Sequence, residues 1–319
     1  MNAGTRAMDW LYHEQLRVDD EWAERTPRGF RWWADKHAQS IEVIGQEKGP
    51  DGKIGYLLSV RTELLRCLEL DDRSAAIIHG LLMPFASMSG PVYDAAEKVL
   101  YLASLVRTYR DISDWMNPLI SVAAVLQIGE ARILGAELAS VLHAEEAISG
   151  PKGHGVRPVP DEMADVISSL IAPLGREASR WRAPEFQRVV DDFLRQPPAL
   201  RATSGGAGFS VEFPFGERTS LCQVGANDAH PRYGNGLFLL QSFPSREPSD
   251  AAGVRLALSM NQEELSRRPL GYGFGSYAFR DGKLHFTAFF PNAMYRPGLL
   301  PNIYFSCAQR ARALEQRLA

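Results

Sequence analysis

Histidine is the residue type most suited to chemistry at neutral pH, because imidazole both binds metals and transfers protons. Seven histidines are scattered along the chain: His13, His37, His79, His143, His154, His230 and His285. The run His143-Ala144-Glu145-Glu146 superficially resembles a metalloprotease helix, but the second histidine four residues on is absent. A polar helix end is the favoured interpretation, since histidine complements the negative end of a helix dipole. The sequence predicts no metal site.

Serine nucleophiles and phosphate-binding loops also require fixed local patterns. A nucleophilic serine needs G-x-S-x-G at a strand-to-helix turn, and the Gly-Phe-Gly-Ser-Tyr run over 273–277 departs from that spacing. The glycine-rich run over 205–208 precedes a predicted strand, whereas a phosphate loop follows a strand and opens a helix. Acidic neighbours such as Asp71 and Asp72 diverge on a helix, so they form no catalytic dyad. These patterns predict no catalytic residues, no cofactor and no enzyme activity.

Aromatic residues open each predicted sheet and are the first candidate binding feature. They are Phe30, Trp32 and Trp33 in the first sheet, and Phe209, Phe213 and Phe215 in the second. Alternate side chains of a strand point to opposite faces, so Trp32 and Trp33 cannot both enter one core. One of them is expected on the other face or at an interface, where large exposed aromatics mark contact surfaces. The alternative is that helices cover both faces. We take Trp32, Trp33, Phe213 and Phe215 as candidate binding residues.

A polar loop over 227–236, Asn-Asp-Ala-His-Pro-Arg-Tyr-Gly-Asn-Gly, is the second candidate binding feature. It is longer than a tight turn, and its His230, Arg232 and Tyr233 could recognise a ligand. A plain hairpin loop is the favoured interpretation of the segment. These three residues nevertheless complete the predicted binding set.

Length and charge set the class of protein. The chain has 319 residues, of which 45% are hydrophobic and 23% charged, and this is enough apolar material for two globular cores. A net charge of −3 argues against nucleic-acid binding, which normally needs a basic excess or stripe. Arg310, Arg312 and Arg317 are expected to form one solvated helix face.

Cysteine usage and hydropathy predict a cytoplasmic location. Cys67, Cys222 and Cys307 lie far apart, and an odd number of cysteines is a poor disulfide framework. The N-terminal residues lack the apolar core of a signal peptide. The longest apolar stretch, around 119–128, is too short to span a bilayer, so no membrane partner is expected.

A run rich in glycine and proline over 149–160, Ser-Gly-Pro-Lys-Gly-His-Gly-Val-Arg-Pro-Val-Pro, divides the chain. Because neither residue favours the interior of a helix or sheet, the run is predicted to be a linker between domains over 1–148 and 161–319. Apolar residues recur at helical spacing on both sides of it, over 115–141, 163–174 and 186–194. Asp114 is the expected N-cap of the first of these helices.

An internal repeat relates the two domains. Gln39–Gly45 aligns with Thr219–Gly225, 180 positions later. Tyr56–Leu58 aligns with Phe238–Leu240 at 182 positions, and Leu100–Leu102 aligns with Leu284–Phe286 at 184. Three matches in the same order, each half ending in an amphipathic helix, indicate a duplication whose loops differ slightly in length.

Each copy is predicted to run strand, strand, helix, strand, strand, helix, preceded by one or more helices. The pairs Asp51-Gly52 and Asp281-Gly282 are typical of tight hairpin turns. Middle helices are expected over 74–85 and 251–265, and the period-two alternation around 277–288 is typical of an antiparallel sheet. The predicted fold class is α+β, in two tandem copies of an antiparallel sheet with helices.

The order of elements and the hairpin-to-helix ending of each half resemble the YbjN and type III secretion chaperone-like superfamily. In the first half this ending is Val99–Leu105 leading to Trp115, and in the second it is Lys283–Pro291 leading to Pro301–Tyr304. The resemblance covers 29–139 and 161–318 without a diagnostic motif. It implies a bacterial, non-enzymatic module that dimerises and holds extended client segments. Because this chain carries two units, it implies either a monomer that is an internal pseudo-dimer or a homodimer.

Two functions follow as hypotheses. The first is a chaperone-like or adaptor protein that binds a polypeptide client. The second is a small-molecule enzyme or sensor with its site between the two domains, where pockets often form. A deep polar pocket with close ionisable groups at the domain interface would favour the second.

Overall fold

A computed structural model describes residues 2–48, 52–83, 87–162, 164–165, 178–193 and 201–318. The chain is α+β with two antiparallel sheets, as predicted. The first half holds α1 (Ala3–Trp10), β1 (Ala23–Thr26), β2 (Gly29–Trp32), β3 (Gln39–Lys48), β4 (Ile54–Arg66), α2 (Asp72–Leu82), β5 (Gly90–Asp94), β6 (Val99–Thr108), α3 (Ser113–Leu142) and β7 (Glu145–Glu146). The second holds α4 (Ala183–Phe193), β8 (Arg201–Ser204), β9 (Gly208–Phe215), β10 (Arg218–Gly225), β11 (Gly236–Pro244), α5 (Asp250–Ser266), β12 (Ser276–Arg280), β13 (Lys283–Pro291) and α6 (Leu299–Leu318).

The two sheets have the same strand order. The first runs β1-β2-β3-β4-β6-β5, with β7 added beside β4, and the second runs β8-β9-β10-β11-β13-β12. In each half a helix joins the fourth strand to the fifth, and a long helix follows the sixth. A shared order that includes the same crossover supports the predicted tandem duplication.

The strand register corrects the alignment of the repeat. Ile41 pairs with Val60 in the first sheet, and Cys222 pairs with Gln241 in the second. All four side chains are buried, which makes both equivalent positions 181 apart (222 minus 41, and 241 minus 60). The sequence alignment matched Ile41 with Leu221, which lies on the opposite, half-buried face. The alignment used offsets of 180 for β3 and 182 for β4, one residue too few and one too many. The two errors cancel across the strand pair, so the aligned residues are still cross-strand partners.

The helix predictions hold with shifted ends. The helices expected over 74–85 and 251–265 are Asp72–Leu82 and Asp250–Ser266. The N-cap of α3 is Ile112 and not Asp114, which lies inside the first turn. The helix predicted over 163–174 falls largely outside the described residues.

Long helix α3 forms the centre of the first half. It packs on β4 and β6 and is buried along most of its length. By length and apolar composition the helical stretch over 110–142 could cross a membrane, but 78% of its most apolar window is buried inside the protein. That burial is what the core helix of a globular domain shows.

The run over 149–160 packs on the first half. The Ser149 amide donates to the Lys36 carbonyl, and the Arg157 guanidinium donates to the Trp33 carbonyl at 3.0 Å. The Asp161 amide then donates to the carbonyl of Ala34 at 2.7 Å. The glycines and prolines therefore shape a docked strap over 147–161, and the predicted linker is not a free tether.

The two halves contact each other through equivalent elements. Helices α2 and α5 pack together, and each helix-to-strand loop reaches the sixth strand of the other half. The Leu105 amide of β6 donates to the Gly273 carbonyl at 3.3 Å, and the Phe289 amide of β13 donates to the Ser87 carbonyl at 2.9 Å. Buried side chains of both halves also join one hydrophobic cluster. Such reciprocal use of one surface is how the subunits of a two-fold dimer pack.

Candidate functional site

The predicted aromatic contact surface is buried inside the protein. The exposed fractions are 1% for Trp32, 2% for Trp33, 1% for Phe213 and 3% for Phe215. The two phenylalanines face the core of the second half, where Phe213 packs against Tyr304 with ring centroids 5.6 Å apart. The prediction that these four residues form an exposed binding surface is wrong.

The chain's own strap explains the burial of the second tryptophan. Trp32 enters the core, where its Nε1 donates to Gln39 Oε1 at 2.9 Å. Trp33 lies elsewhere and donates from Nε1 to Ser149 Oγ at 3.0 Å. The sequence argument correctly separated the two side chains, but the second one contacts residues more than a hundred positions later rather than a partner.

The predicted polar loop belongs to the junction between the halves. His230 and Tyr233 are buried, and their rings stack with centroids 4.7 Å apart. The Tyr233 hydroxyl donates to Glu130 Oε1 of the first half at 3.0 Å. Of the seven predicted binding residues, Arg232 alone is exposed. The loop connects β10 to β11 as expected of a hairpin, and two of its three predicted binding side chains are buried.

Glu130 is a buried carboxylate that the sequence analysis missed. Its Oε1 accepts from Ser87 Oγ at 2.8 Å, and its Oε2 accepts from Ser89 Oγ at 3.1 Å. Burial raises the pKa of the Glu130 carboxyl, opposed by hydrogen bonds from Ser87, Tyr233 and Ser89. The available signal was an acidic residue within the apolar middle of a helix. The Tyr233 bond joins this cluster of the first half to the second half, so we assign the cluster to the interface.

The raised pKa of Glu130 predicts a pH-dependent stability. Because the carboxyl binds its proton more tightly in the folded chain, stability is greatest below the ordinary pKa of 4.5 and falls as the pH rises through the folded value. Because glutamine cannot ionise, Glu130→Gln should flatten this fall in stability. Urea titrations between about pH 4 and 9 measure it, since this range covers both ordinary and strongly raised carboxyl pKa values. Glu137→Gln, on the exposed face of the same helix, is the control. An unchanged slope for Glu130→Gln would contradict the assignment.

An open groove of about 670 Å³ lies between the halves, and we call it the interhalf groove. The ends of β3 and β6 line one side, and the loop after α5 and the first turns of α6 line the other. Its lining includes Lys48, Arg107, Arg268, Tyr272 and Phe305.

The aromatic side chains of the groove are held in place by the fold. The Tyr272 amide donates to Ser306 Oγ at 2.9 Å, and its ring packs on Trp115 at 5.8 Å between centroids. Phe305 lies on the outer face of α6 with 53% of its surface exposed. Burying an exposed phenylalanine against a ligand is worth roughly 1.5–3 kcal/mol. The groove therefore offers apolar contact area.

The charged side chains of the groove divide into a fixed pair and two available cations. Arg107 is bound to Glu47 through Nε at 2.8 Å, and it also reaches the Pro269 carbonyl at 3.5 Å. Within the described parts of the chain, no ion-pair partner faces Lys48 or Arg268. These two cations give the groove a positive character, although the chain as a whole is acidic.

Ser306, one of the hydroxyl-bearing residues that line this groove, accepts a hydrogen bond from the Tyr272 amide. Among the residues that the structure describes, no three His, Cys, Asp or Glu side chains are grouped as a metal site. The groove combines exposed apolar area at Phe305 with the cations Lys48 and Arg268.

Comparisons with known proteins add no assignment to this chain. No family model, curated protein or solved structure matches it. The function proposed below therefore rests on the chemistry and packing of the residues themselves.

Proposed function

We propose that this protein is a non-enzymatic, chaperone-like or adaptor protein that binds an extended, acidic segment of a client polypeptide in the interhalf groove. One observation carries the proposal: the groove sets exposed Phe305 beside the cations Lys48 and Arg268. A segment in which carboxylates alternate with apolar side chains complements this lining. The apolar side chains would cover the aromatic rings, while the carboxylates would face the cations.

The shape of the groove supports a polymer as the ligand. It is open to solvent and is not an enclosed cavity, so a chain can continue beyond it in both directions. The equivalent surfaces of the two halves contact each other, so the groove between them is complete within a single chain. We accordingly propose a cytoplasmic protein that works as an internal pseudo-dimer, with a homodimer as the alternative, and we propose YbjN-like and secretion-chaperone ancestry for each half.

Charge reversal in the groove tests the proposal. The probe is a fluorescein-labelled peptide of about twelve residues in which glutamate alternates with phenylalanine and leucine, measured by fluorescence anisotropy. Lys48→Glu with Arg268→Glu should weaken its Kd by about tenfold or more, equivalent to 1.4 kcal/mol, because each cation becomes a repulsive charge. The same double variant should bind a peptide with lysine in place of glutamate no more weakly than the parent protein does.

A matched double variant separates the local effect from net charge. Lys152→Glu with Arg246→Glu reverses one lysine and one arginine at exposed positions outside the groove, and it should leave the Kd within about twofold. Phe305→Ala should also weaken binding without loss of stability, since the ring is half exposed. Equal losses in the two double variants, or no binding of the acidic peptide, would refute the proposal.

The volume of the groove favours one second candidate. At about 670 Å³ it falls within the range of small-molecule sites. A small-molecule enzyme or sensor between the halves would bind a low-molecular-weight ligand that displaces the peptide. Binding of such a ligand without any peptide affinity would support this alternative.

A further inference from the structure

A second pocket of about 370 Å³ lies in the second half, apart from the interhalf groove. One wall is a single face of α4, because Glu185, Arg188, Val189 and Asp192 are spaced three and four residues apart. The facing wall is the turn over 295–298 together with the first turn of α6. Both walls belong to one half, so the pocket does not depend on how the halves pack.

Trp181 lies between the two walls and is 98% buried. Its ring meets the ring of Tyr295 edge to face, with centroids 5.5 Å apart. Within the described residues, its Nε1 has no hydrogen-bond acceptor. A buried donor without a partner costs roughly 1–3 kcal/mol. A polar ligand beside the ring would supply the acceptor that these residues do not.

The hydrogen bonds of the pocket show which charges are already used. Glu185 accepts from the Tyr295 hydroxyl through Oε1 at 2.7 Å and from the Arg182 amide through Oε2 at 2.9 Å. This carboxylate therefore closes the start of α4 and braces the facing turn. Arg296 donates to the Tyr295 carbonyl at 2.8 Å, which holds its guanidinium at the rim.

Two opposite charges on α4 remain available. Arg188 donates to the Pro184 carbonyl at 3.3 Å, and in the described part of the chain neither Arg188 nor Asp192 forms an ion pair. They lie four residues apart on the face that lines the pocket, so a ligand there meets a cation and an anion side by side. Between them and the facing turn, Val189 and Leu300 provide buried apolar contacts.

We propose that this pocket binds a small zwitterion with an apolar side chain, of the class of free α-amino acids. The ligand carboxylate faces Arg188 and Arg296, and its ammonium group faces Asp192. The ligand carboxylate also accepts the hydrogen bond that Trp181 Nε1 offers, and the side chain of the ligand packs on Val189 and Leu300. The volume of 370 Å³ lies at the small end of the range known for ligand pockets, which suits a molecule of this size. This inference does not rest on the function proposed for the groove.

Titration calorimetry with L-leucine and its blocked derivatives tests the proposal. L-leucine should give a saturable isotherm on the full-length protein. N-acetyl-L-leucine lacks the ammonium group and L-leucinamide lacks the carboxylate, so each should bind at least tenfold more weakly. Binding of neither L-leucine nor L-phenylalanine, or equal binding of the blocked derivatives, would overturn the assignment.

Variants on α4 locate the site. Arg188→Gln and Asp192→Asn should each weaken the Kd for L-leucine at least tenfold. Arg182→Gln, just before α4, and Asp191→Asn, on α4, remove the same charges at exposed positions outside the pocket, and they should bind like the parent protein. Circular dichroism melts confirm that each variant is folded. Equal weakening by Asp191→Asn and Asp192→Asn would place the ligand elsewhere and refute the proposal.

Discussion

Replacing Gly273 with alanine is expected to lower the free energy of unfolding by about 2–4 kcal/mol. Gly273 has a φ of 61°, and a Cβ built there would lie 1.8 Å from the carbonyl oxygen of Leu105 in the other half. The Gly273 carbonyl also accepts the Leu105 amide, so the loop cannot retreat without losing that bond. Urea titrations measure the loss.

Gly282 is the matched control for this substitution. Its φ of 69° is close to that of Gly273, but a Cβ there has nothing within 4 Å. Gly282→Ala therefore measures the backbone strain alone, about 1 kcal/mol. The Leu105 amide should exchange its hydrogen faster in Gly273→Ala and not in Gly282→Ala. Equal losses of stability would show that the halves are not held closely at this loop.

The repeated topology was predictable because its signals are local. Asp281 and Gly282 adopt φ values of 51° and 69°, the left-handed conformations that an Asp-Gly hairpin turn requires. Helical spacing likewise placed α3 and α5, since one side of each must be apolar. Local signals of this kind determine the order of elements without reference to the rest of the chain.

The register of the repeat was harder to predict because neighbouring strand positions carry similar residues. Leu58 is identical in residue type to both Leu239 and Leu240, so the sequence alone cannot choose between them. Only the face of the sheet on which each side chain lies distinguishes them. Leu58 and Leu239 are buried, whereas Leu240 is half buried. A one-residue slip reverses the face of every side chain in a strand, so alignment of short apolar strands cannot choose between such registers.

The predicted binding residues are buried for a different reason. The sequence correctly indicated that Trp33 does not enter the same core as Trp32, but a side chain outside that core can still be buried elsewhere. The strap over 147–161 covers it, and the sequence marks this strap only as glycine and proline. The groove residues Lys48, Arg268 and Phe305 come from three distant segments, so no local pattern could have grouped them.

Arg310 is the clearest case of a residue that the helical pattern misplaced. It was expected on a solvated face with Arg312 and Arg317, and yet it is 1% exposed. Its guanidinium lies over the Phe286 ring, 3.6 Å from the centroid. The partner that makes this burial tolerable is Glu264, 46 residues away on α5.

Glu264→Gln is accordingly expected to lower the free energy of unfolding by about 3–5 kcal/mol. Arg310 donates to Glu264 Oε1 at 2.7 Å and to Oε2 at 3.1 Å, and both side chains are buried. The Tyr277 hydroxyl and the Gly271 amide complete the shell of this carboxylate. Removing the charge of Glu264 leaves the Arg310 guanidinium buried without a counter-ion. The cost of removing that guanidinium from water is then no longer offset by the ion pair.

Glu263→Gln is the control, because this neighbour is half exposed and lies 4.0 Å from the partly solvated Arg267. It should cost less than about 1 kcal/mol in the same urea titrations. Glu264→Met combined with Arg310→Met should recover much of the loss, since removing both charges also removes their desolvation penalty. A cost for Glu264→Gln no greater than that for Glu263→Gln would mean that water reaches the pair. The second half would then lack the dry core in which this ion pair joins α5 to α6.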